Sequence, residues 1–244
     1  MTSSTRQEEI ANWFDKTYSR RGEWYLRPVR AYYIFLELLK VQPKERLLDI
    51  ACGLGRLLEA ANEYDCKLTG IDISKVAIEK AQQKLPNARI QWANAEELPF
   101  DDDEFDIITC LGSLERMLNL SRVLQEIKRV TTADARFCFL VRNENTATWN
   151  AKKKLGIQNE ASHQGAKNLQ AWTTIFENEG FEIIDILPDQ YPLQKRLLFK
   201  SLGIKKVDYR SIVKSNQPIE KANEFIFILR KTVPTTSAVE GLRG

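Results

Sequence analysis

Apolar and polar positions in this 244-residue chain switch repeatedly between strand-like and helix-like patterning, and the switching begins near residue 46. Before that point the first forty residues read as helices. Pro28, tolerated in a first helical turn, opens a second helix expected to run to about Lys40, and Pro43 marks its exit. From there, strands are expected over Arg46–Ala51, Lys67–Ile71, Arg89–Ala93, Phe105–Leu111, Arg136–Arg142, Phe181–Leu187 and Glu224–Arg230. Helices are expected between them, over Leu57–Tyr64, from an N-cap at Ser74 through Lys84 with Pro86 as stop, and over Ser121–Val130. A last helix spans Asn168–Glu179 and is closed by Gly180. Residues 131–135 read as a loop.

Strands that take turns with helices imply an α/β fold, a mostly parallel sheet of seven strands with helices on both faces. Right-handed crossovers restrict its topology. Ligands of such sheets bind at the carboxyl ends of the strands, where the strand order reverses. The organisation expected is a helical N-terminal cap over 1–44, an α/β domain over 45–231 and a short polar tail over 232–244, which should fray. Eight of the aromatic residues fall before position 36: Trp13, Phe14, Tyr18, Trp24, Tyr25, Tyr32, Tyr33 and Phe35. That density suits a cap packed on the main domain, with core packing accounting for most of the rings.

Composition narrows the class. At 43% hydrophobic and 28% charged residues the chain is of ordinary soluble type. No apolar run is long enough to span a bilayer, and the N-terminus has no signal-peptide core, which points to the cytoplasm. Cys52, Cys66, Cys110 and Cys138 form no C-x-x-C pair, and His163 is the single histidine, in a polar loop of surface type. A zinc site needs clustered soft or imidazole ligands, so buried reduced thiols are expected and no metal. The net charge of +3 is too small to argue for nucleic acid. The basic character is local: Lys195, Arg196, Lys200, Lys205, Lys206, Arg210 and Lys214 lie in an insertion over about 191–218 against one acid, Asp208. Leucines and Val207 interleave with them, giving a partly amphipathic segment able to touch an anionic membrane surface or an acidic substrate, or to serve as a solvated lid.

Candidate chemistry starts at the turn after the first strand, Asp49-Ile50-Ala51-Cys52-Gly53-Leu54-Gly55-Arg56. Glycines 53 and 55 permit positive φ and close approach of a ligand to the backbone, as nucleotide-binding turns require. The second strand then ends in Gly70-Ile71-Asp72-Ile73-Ser74. An acid there, about twenty residues after the glycines, can accept hydrogen bonds from both hydroxyls of a ribose.

These segments resemble the motifs of the class I S-adenosylmethionine-dependent methyltransferases, in their broad small-molecule branch that includes the quinone-biosynthesis enzymes. Leu47 to Arg56 looks like the first motif and Gly70 to Ser74 the second. Asn94-Ala95-Glu96-Glu97-Leu98-Pro99-Phe100 is similar to the third-strand loop, and Leu111-Gly112-Ser113-Leu114-Glu115-Arg116-Met117 continues the match. The resemblance covers about 45 to 142 well. It implies a Rossmann-like sheet and S-adenosyl-L-methionine as cofactor. Gly53 and Gly55, with Ala51, would pass under its methionine part, and Asp49 would orient the turn or meet the ammonium group. Asp72 would bind the ribose, Ile73 would pack on the adenine, Asn94 and Ala95 would meet its edge, and Leu111 would offer a carbonyl. Ala51 replaces a frequent glycine, Asn94 a frequent aspartate and Arg116 a frequent histidine.

Methyl transfer is an in-line displacement in which the cofactor carries the activated group and the protein supplies orientation and a dry pocket. A base is needed only for a protonated nucleophile. Glu115 is the candidate for that role, or a solvated acid at a helix start. Trp24, Tyr25 and Arg116, with Tyr18 and Arg27, are the candidates for closing the site or binding substrate. The function implied is methylation of an O, N or C atom of a small-molecule metabolite. Two alternatives stand beside it: an RNA methyltransferase that uses the basic insertion, and a non-catalytic cofactor-binding partner. Label transfer to metabolite or RNA fractions separates them.

Overall fold

A computed structural model describes residues 3–21, 26–146, 150, 165–191, 210, 213–214 and 216–232. Seven strands form one sheet: β1 (Arg46–Ile50), β2 (Lys67–Asp72), β3 (Arg89–Trp92), β4 (Phe105–Leu111), β5 (Thr131–Arg142), β6 (Phe181–Asp189) and β7 (Glu224–Lys231). Their order is β3-β2-β1-β4-β5-β7-β6, with β7 antiparallel to both of its neighbours and the pairs from β3 to β5 parallel. The order reverses between β1 and β4, so their carboxyl ends flank the crevice in which a ligand is expected.

Alternation along the strands explains why both faces are covered. Ile108, Phe137, Phe139, Val141, Phe225 and Phe227 point to one face and meet Val123, Leu124 and Ile127 of α5 (Leu120–Arg129) and Trp172 and Phe176 of α6 (Leu169–Asn178). Their neighbours Ile107, Cys138, Leu140, Ile226 and Ile228 point to the other face. There they meet α2 (Tyr33–Leu38), α3 (Arg56–Ala61) and α4 (Lys75–Lys84). A period of two on a sheet clad on both sides gives near-continuous apolar strands.

Helix starts follow local chemistry. Ser74, Asn119 and Asn168 each accept a hydrogen bond from the backbone N–H three residues on, at 3.1, 3.0 and 2.9 Å. Each thereby satisfies one of the orphan donors of a first turn. Pro28 precedes a single 3-10 turn, Val29–Tyr32, which passes into the short α2.

One element departs from expectation. Residues 131–135 belong to β5: Thr131 pairs with Phe105 and Arg136 with Ile107, so five residues bulge against a two-residue step of β4. The Thr131 hydroxyl donates to the Ile127 carbonyl at 2.8 Å, and Ala135 is fully buried. This bulge turns the chain directly from α5 into the sheet, where no proline-glycine turn exists. The insertion over 192–209, the cap residues 22–25, His163 and the tail from 233 lie outside the described residues.

The cap helix α1 (Ser3–Arg21) crosses the carboxyl ends of the strands. Gln7, Ile10, Phe14, Thr17 and Tyr18 recur at helical spacing and share the face turned to the crevice. Four hydrogen bonds tie the helix down. Asp15 accepts from the Ser74 hydroxyl at 2.5 Å and from the Val76 amide at 3.2 Å, Lys80 donates to the Tyr18 carbonyl at 2.8 Å, and Gln7 donates to Glu96 at 2.8 Å. Asp15 thus adds a negative charge at the N-terminus of α4, where the helix dipole favours one.

Candidate active site

The crevice under α1 encloses a cavity of about 530 Å3, within the range of small-molecule sites. Its two halves follow the sheet order. The lining from β1, β2 and the segment after β3 includes Asp49, Ala51, Gly53, Asp72, Ile73, Asn94 and Ala95. Leu111, at the end of β4, stands at the border, and beyond it lie Arg116, Arg142, Tyr191 and Glu224.

Backbone conformation shapes the first half. Ala51, Gly53 and Gly55 all adopt the left-handed conformation, with φ of 56°, 53° and 74°. Alternating such residues takes the chain out of β1 in a tight loop and starts α3 at Arg56. Ala51 takes this conformation at a cost of about 1–2 kcal/mol that glycine would not incur. A Cβ on Gly53 would come within 2.7 Å of the Tyr18 hydroxyl, so the tip of a cap-helix side chain rests directly on the turn.

Two buried acids face this half. The Asp72 carboxylate accepts the Gly53 and Ser74 amides at 2.8 Å each, one on each oxygen, so it braces the glycine turn from the end of β2. A carboxylate has about four acceptor sites, and two stay open. Burial pushes its pKa up to about 6, against the lowering effect of those amides. Asp49 accepts the Thr109 hydroxyl at 2.7 Å, and burial, with some help from Asp72, holds it at about 7. Neither acid has an ion-pair partner among the described residues. Buried carboxylates left without a cation are costly. The pair therefore fits a cationic ligand, and S-adenosylmethionine carries both a sulfonium and an ammonium group.

Neighbouring groups fit the rest of that molecule. The Trp92 indole donates to the Ile73 carbonyl at 2.8 Å and pins the segment after β2. Asn94 is half-buried, and its side-chain oxygen accepts the Glu96 amide at 3.1 Å. Its amide nitrogen lies on a residue that lines the cavity, as an adenine-edge donor should.

The second half is a network of buried charge. Arg27 donates to Asp189 at the end of β6 and to Glu224 at the start of β7, the latter at 3.0 Å. Its guanidinium also lies 4.6 Å from the centre of the Tyr191 ring. Arg142, at the end of β5, approaches Glu115 at 3.1 Å and Glu224 at 3.5 Å. Burial drives the Glu224 pKa up to about 7, although Arg27 and Arg142 pull it down. Burial raises the Tyr32 phenol to about 12.

Sequence-selected residues fall into three groups. Asp49, Ala51, Gly53, Asp72, Ile73, Asn94, Ala95, Leu111 and Arg116 all line the cavity. Gly55 shapes the turn but lies outside the lining. The side chain of Glu115 is buried at 2% exposure and turned to Arg142, and Glu115 does not itself line the cavity, so it is not the solvated acid of a helix start. Trp24 and Tyr25 are outside the described residues. Core packing absorbs only some of the cap aromatics: Phe35 is buried in the core with Tyr32 and Tyr33 packed against it, whereas Trp13, Phe14 and Tyr18 line the cavity because α1 lies over the strand ends. Asp15, Glu96 and Glu224 were not legible as site residues. The helical spacing of Gln7, Ile10, Phe14 and Thr17 was a usable signal for the cap face.

Cysteine chemistry has no place here. Cys52, Cys110 and Cys138 are buried and Cys66 half-buried, all four are free, and burial raises every thiol. Such thiols are poor nucleophiles. Among the described residues no cluster of histidine, cysteine and acids could hold a metal ion, and no helix is long and apolar enough to cross a membrane.

A sheet of this order with a glycine turn after β1 and a buried acid at the end of β2 is the Rossmann-like arrangement found in methyltransferases. Comparison with known proteins agrees. Residues 48–139 match the family model described as a methyltransferase domain. The chain is 29% identical over 168 residues to the uncharacterized methyltransferase YcgJ of Bacillus subtilis, covering 66% of each protein. It is 33% identical over 115 residues to a demethylmenaquinone methyltransferase of Symbiobacterium thermophilum, covering 43% of this chain and 46% of that one. Among solved structures, a SAM-dependent methyltransferase of Thermotoga maritima superposes with a TM-score of 0.66 at 18% identity, over 92% of this chain and 99% of that one. Residues 48–139 are thus similar to a methyltransferase domain, and the chain shares the fold of S-adenosylmethionine-dependent methyltransferases. It spans about a third to two thirds of the length of the curated relatives it matches.

Proposed function

We propose that this protein binds S-adenosyl-L-methionine in the β1–β4 half of the cavity and transfers its methyl group to an O, N or C atom of a small-molecule acceptor in the other half. The observation that carries this is the pair of buried acids without an ion pair among the described residues, Asp49 and Asp72, facing one cavity at the strand-order reversal. When bound, the cofactor supplies a methyl group on an electrophilic sulfonium centre. Asp72 takes the ribose hydroxyls on its open acceptor sites, Asp49 faces the cationic end, and Asn94 and Ala95 meet the adenine edge. The cap helix covers the site with Trp13, Phe14 and Tyr18, which excludes water and offers aromatic faces to a cation. Glu115 acts as a positioning residue that holds Arg142. Glu224, at a pKa of about 7 and lining the acceptor half, is the acid suited to take a proton from a protonated nucleophile. Label transfer from methyl-labelled cofactor into metabolite and RNA fractions of a cell extract tests the reading. Label chiefly in small molecules is expected, and label chiefly in RNA would overturn the substrate class.

The acids also set a proton signal. In the free protein Asp49 holds its proton in part at neutrality and Asp72 does so in slightly acidic solution, with pKa values of about 7 and about 6. A sulfonium and an ammonium beside them favour the ionised forms, so cofactor binding at pH 6.5 should release roughly half a proton to one proton. Calorimetry in buffers of different ionisation enthalpy reads this directly. The release should shrink in Asp49→Asn, and a binding enthalpy independent of buffer would mean that the acids do not face the cation.

A further inference from the structure

We propose that Arg116 binds an oxyanion of the methyl acceptor, a carboxylate or a phosphate, so that the substrate class is anionic. This rests on the methyltransferase reading above. Beyond β4 the other charges lie within ion-pair distance of an opposite charge, although among the described residues the Glu115 oxygens and the Arg142 Nε make no hydrogen bond, and Arg116 lacks even the ion pair. Arg27 holds Asp189 and Glu224, and Arg142 sits between Glu115 and Glu224. Arg116 has no carboxylate within ion-pair distance among the described residues, and its Nε is buried with no hydrogen-bond partner. Glu115, next to it in sequence, directs its carboxylate to Arg142 instead.

What does touch Arg116 fixes its plane without satisfying it. The guanidinium lies 5.2 Å from the centre of the Phe14 ring, which covers a face and accepts no in-plane hydrogen bond. Its donors point along the plane edge, in the fork that matches a carboxylate or phosphate. Burial works against its charge and outweighs the support of Glu115, and Arg142 adds to the cost. A buried cation of this kind is expensive unless paired. Because Arg116 lines the cavity, an anion entering it is the natural partner. Its place after β4, where its charge is felt by Asp72 on one side and meets that of Arg142 on the other, puts it at the boundary between the two halves.

Calorimetry on the full chain saturated with S-adenosylhomocysteine tests this, with benzoate, phenyl phosphate and neutral benzyl alcohol as probes. At low ionic strength at least one anion should bind about tenfold or more tighter than the alcohol, as charge-assisted hydrogen bonds allow. Tighter benzoate would identify a carboxylate, and tighter phenyl phosphate a phosphate. In Arg116→Met that preference should disappear while S-adenosylhomocysteine affinity stays within about threefold, and Arg116→Lys should recover only part of it because a point charge lacks the planar fork. Absence of an anion preference, or its persistence in Arg116→Met, would overturn the proposal. So would a loss of S-adenosylhomocysteine affinity beyond about tenfold in Arg116→Met, which would make Arg116 the clamp of the cofactor's own carboxylate. Failure of the unaltered protein to bind S-adenosylhomocysteine is the separate outcome that removes the methyltransferase reading, and the subsite with it.

Discussion

Replacing Asp72 with alanine should weaken S-adenosylhomocysteine binding by about 100-fold or more, the size expected from losing two hydrogen bonds to an ionised acceptor. The carboxylate has two tasks that the substitution removes together: it would accept the ribose hydroxyls, and it accepts the Gly53 and Ser74 amides that shape the turn beneath the cofactor. Asp72→Asn keeps one acceptor oxygen, so its loss of affinity should be smaller. The fold should survive both changes. Asp72 is buried without an ion pair, and burial raises its pKa to about 6, so the native state gains little from the charge. Calorimetry on the folded variants, with a denaturation curve alongside, separates binding from stability. Unchanged affinity in a folded Asp72→Ala protein would confine this acid to bracing the turn.

The opposite balance is expected at Arg27. Arg27→Met should cost roughly 3–5 kcal/mol of unfolding free energy, the usual penalty for stripping a buried ion pair of one partner. Its side chain is 11% exposed, that of Asp189 is fully buried and that of Glu224 is 14% exposed, so water cannot replace the guanidinium. The penalty should grow with pH. Glu224 already titrates near 7 in the folded protein against 4.5 ordinarily, with burial as the main cause and Arg27 as the largest opposing influence. Without Arg27 its folded value moves further up. A group with a raised folded pKa contributes stability that is complete below the unfolded value and fades as pH rises through the folded one. Urea denaturation should therefore show a larger deficit at pH 8 than at pH 5.5. A deficit below about 1 kcal/mol at both would place the pair among weakly coupled surface ions.

These two residues differ in how visible they were. Asp72 was legible because its meaning is local: an apolar run, a turn and an acid at a set distance from a glycine pair are all read within one βαβ unit. Arg27 suggested only a basic residue beside aromatics, and its partners lie 162 and 197 positions away. The same division separates the ends of the elements. Ser74 was readable as a cap from its neighbours, whereas the β5 bulge over 131–135 depends on what β4 offers across the gap. Glu115 shows how a local reading misleads. Its position at a helical turn suggested solvent or catalysis, and the approach of Arg142 from the next strand decided otherwise.

The chain's own pattern therefore determined the α/β class, the seven strands apart from the first five residues of β5, the glycine turn and the acid ending β2, since each is specified by short-range sterics, periodicity and capping. The tertiary structure alone decided that α1 lies across the strand ends, that Asp15 and Glu96 fasten it, and that Arg27, Arg142 and Glu224 converge beyond β4. Those contacts join segments far apart in sequence, and burial, which no single segment reveals, is what gives their charges consequence.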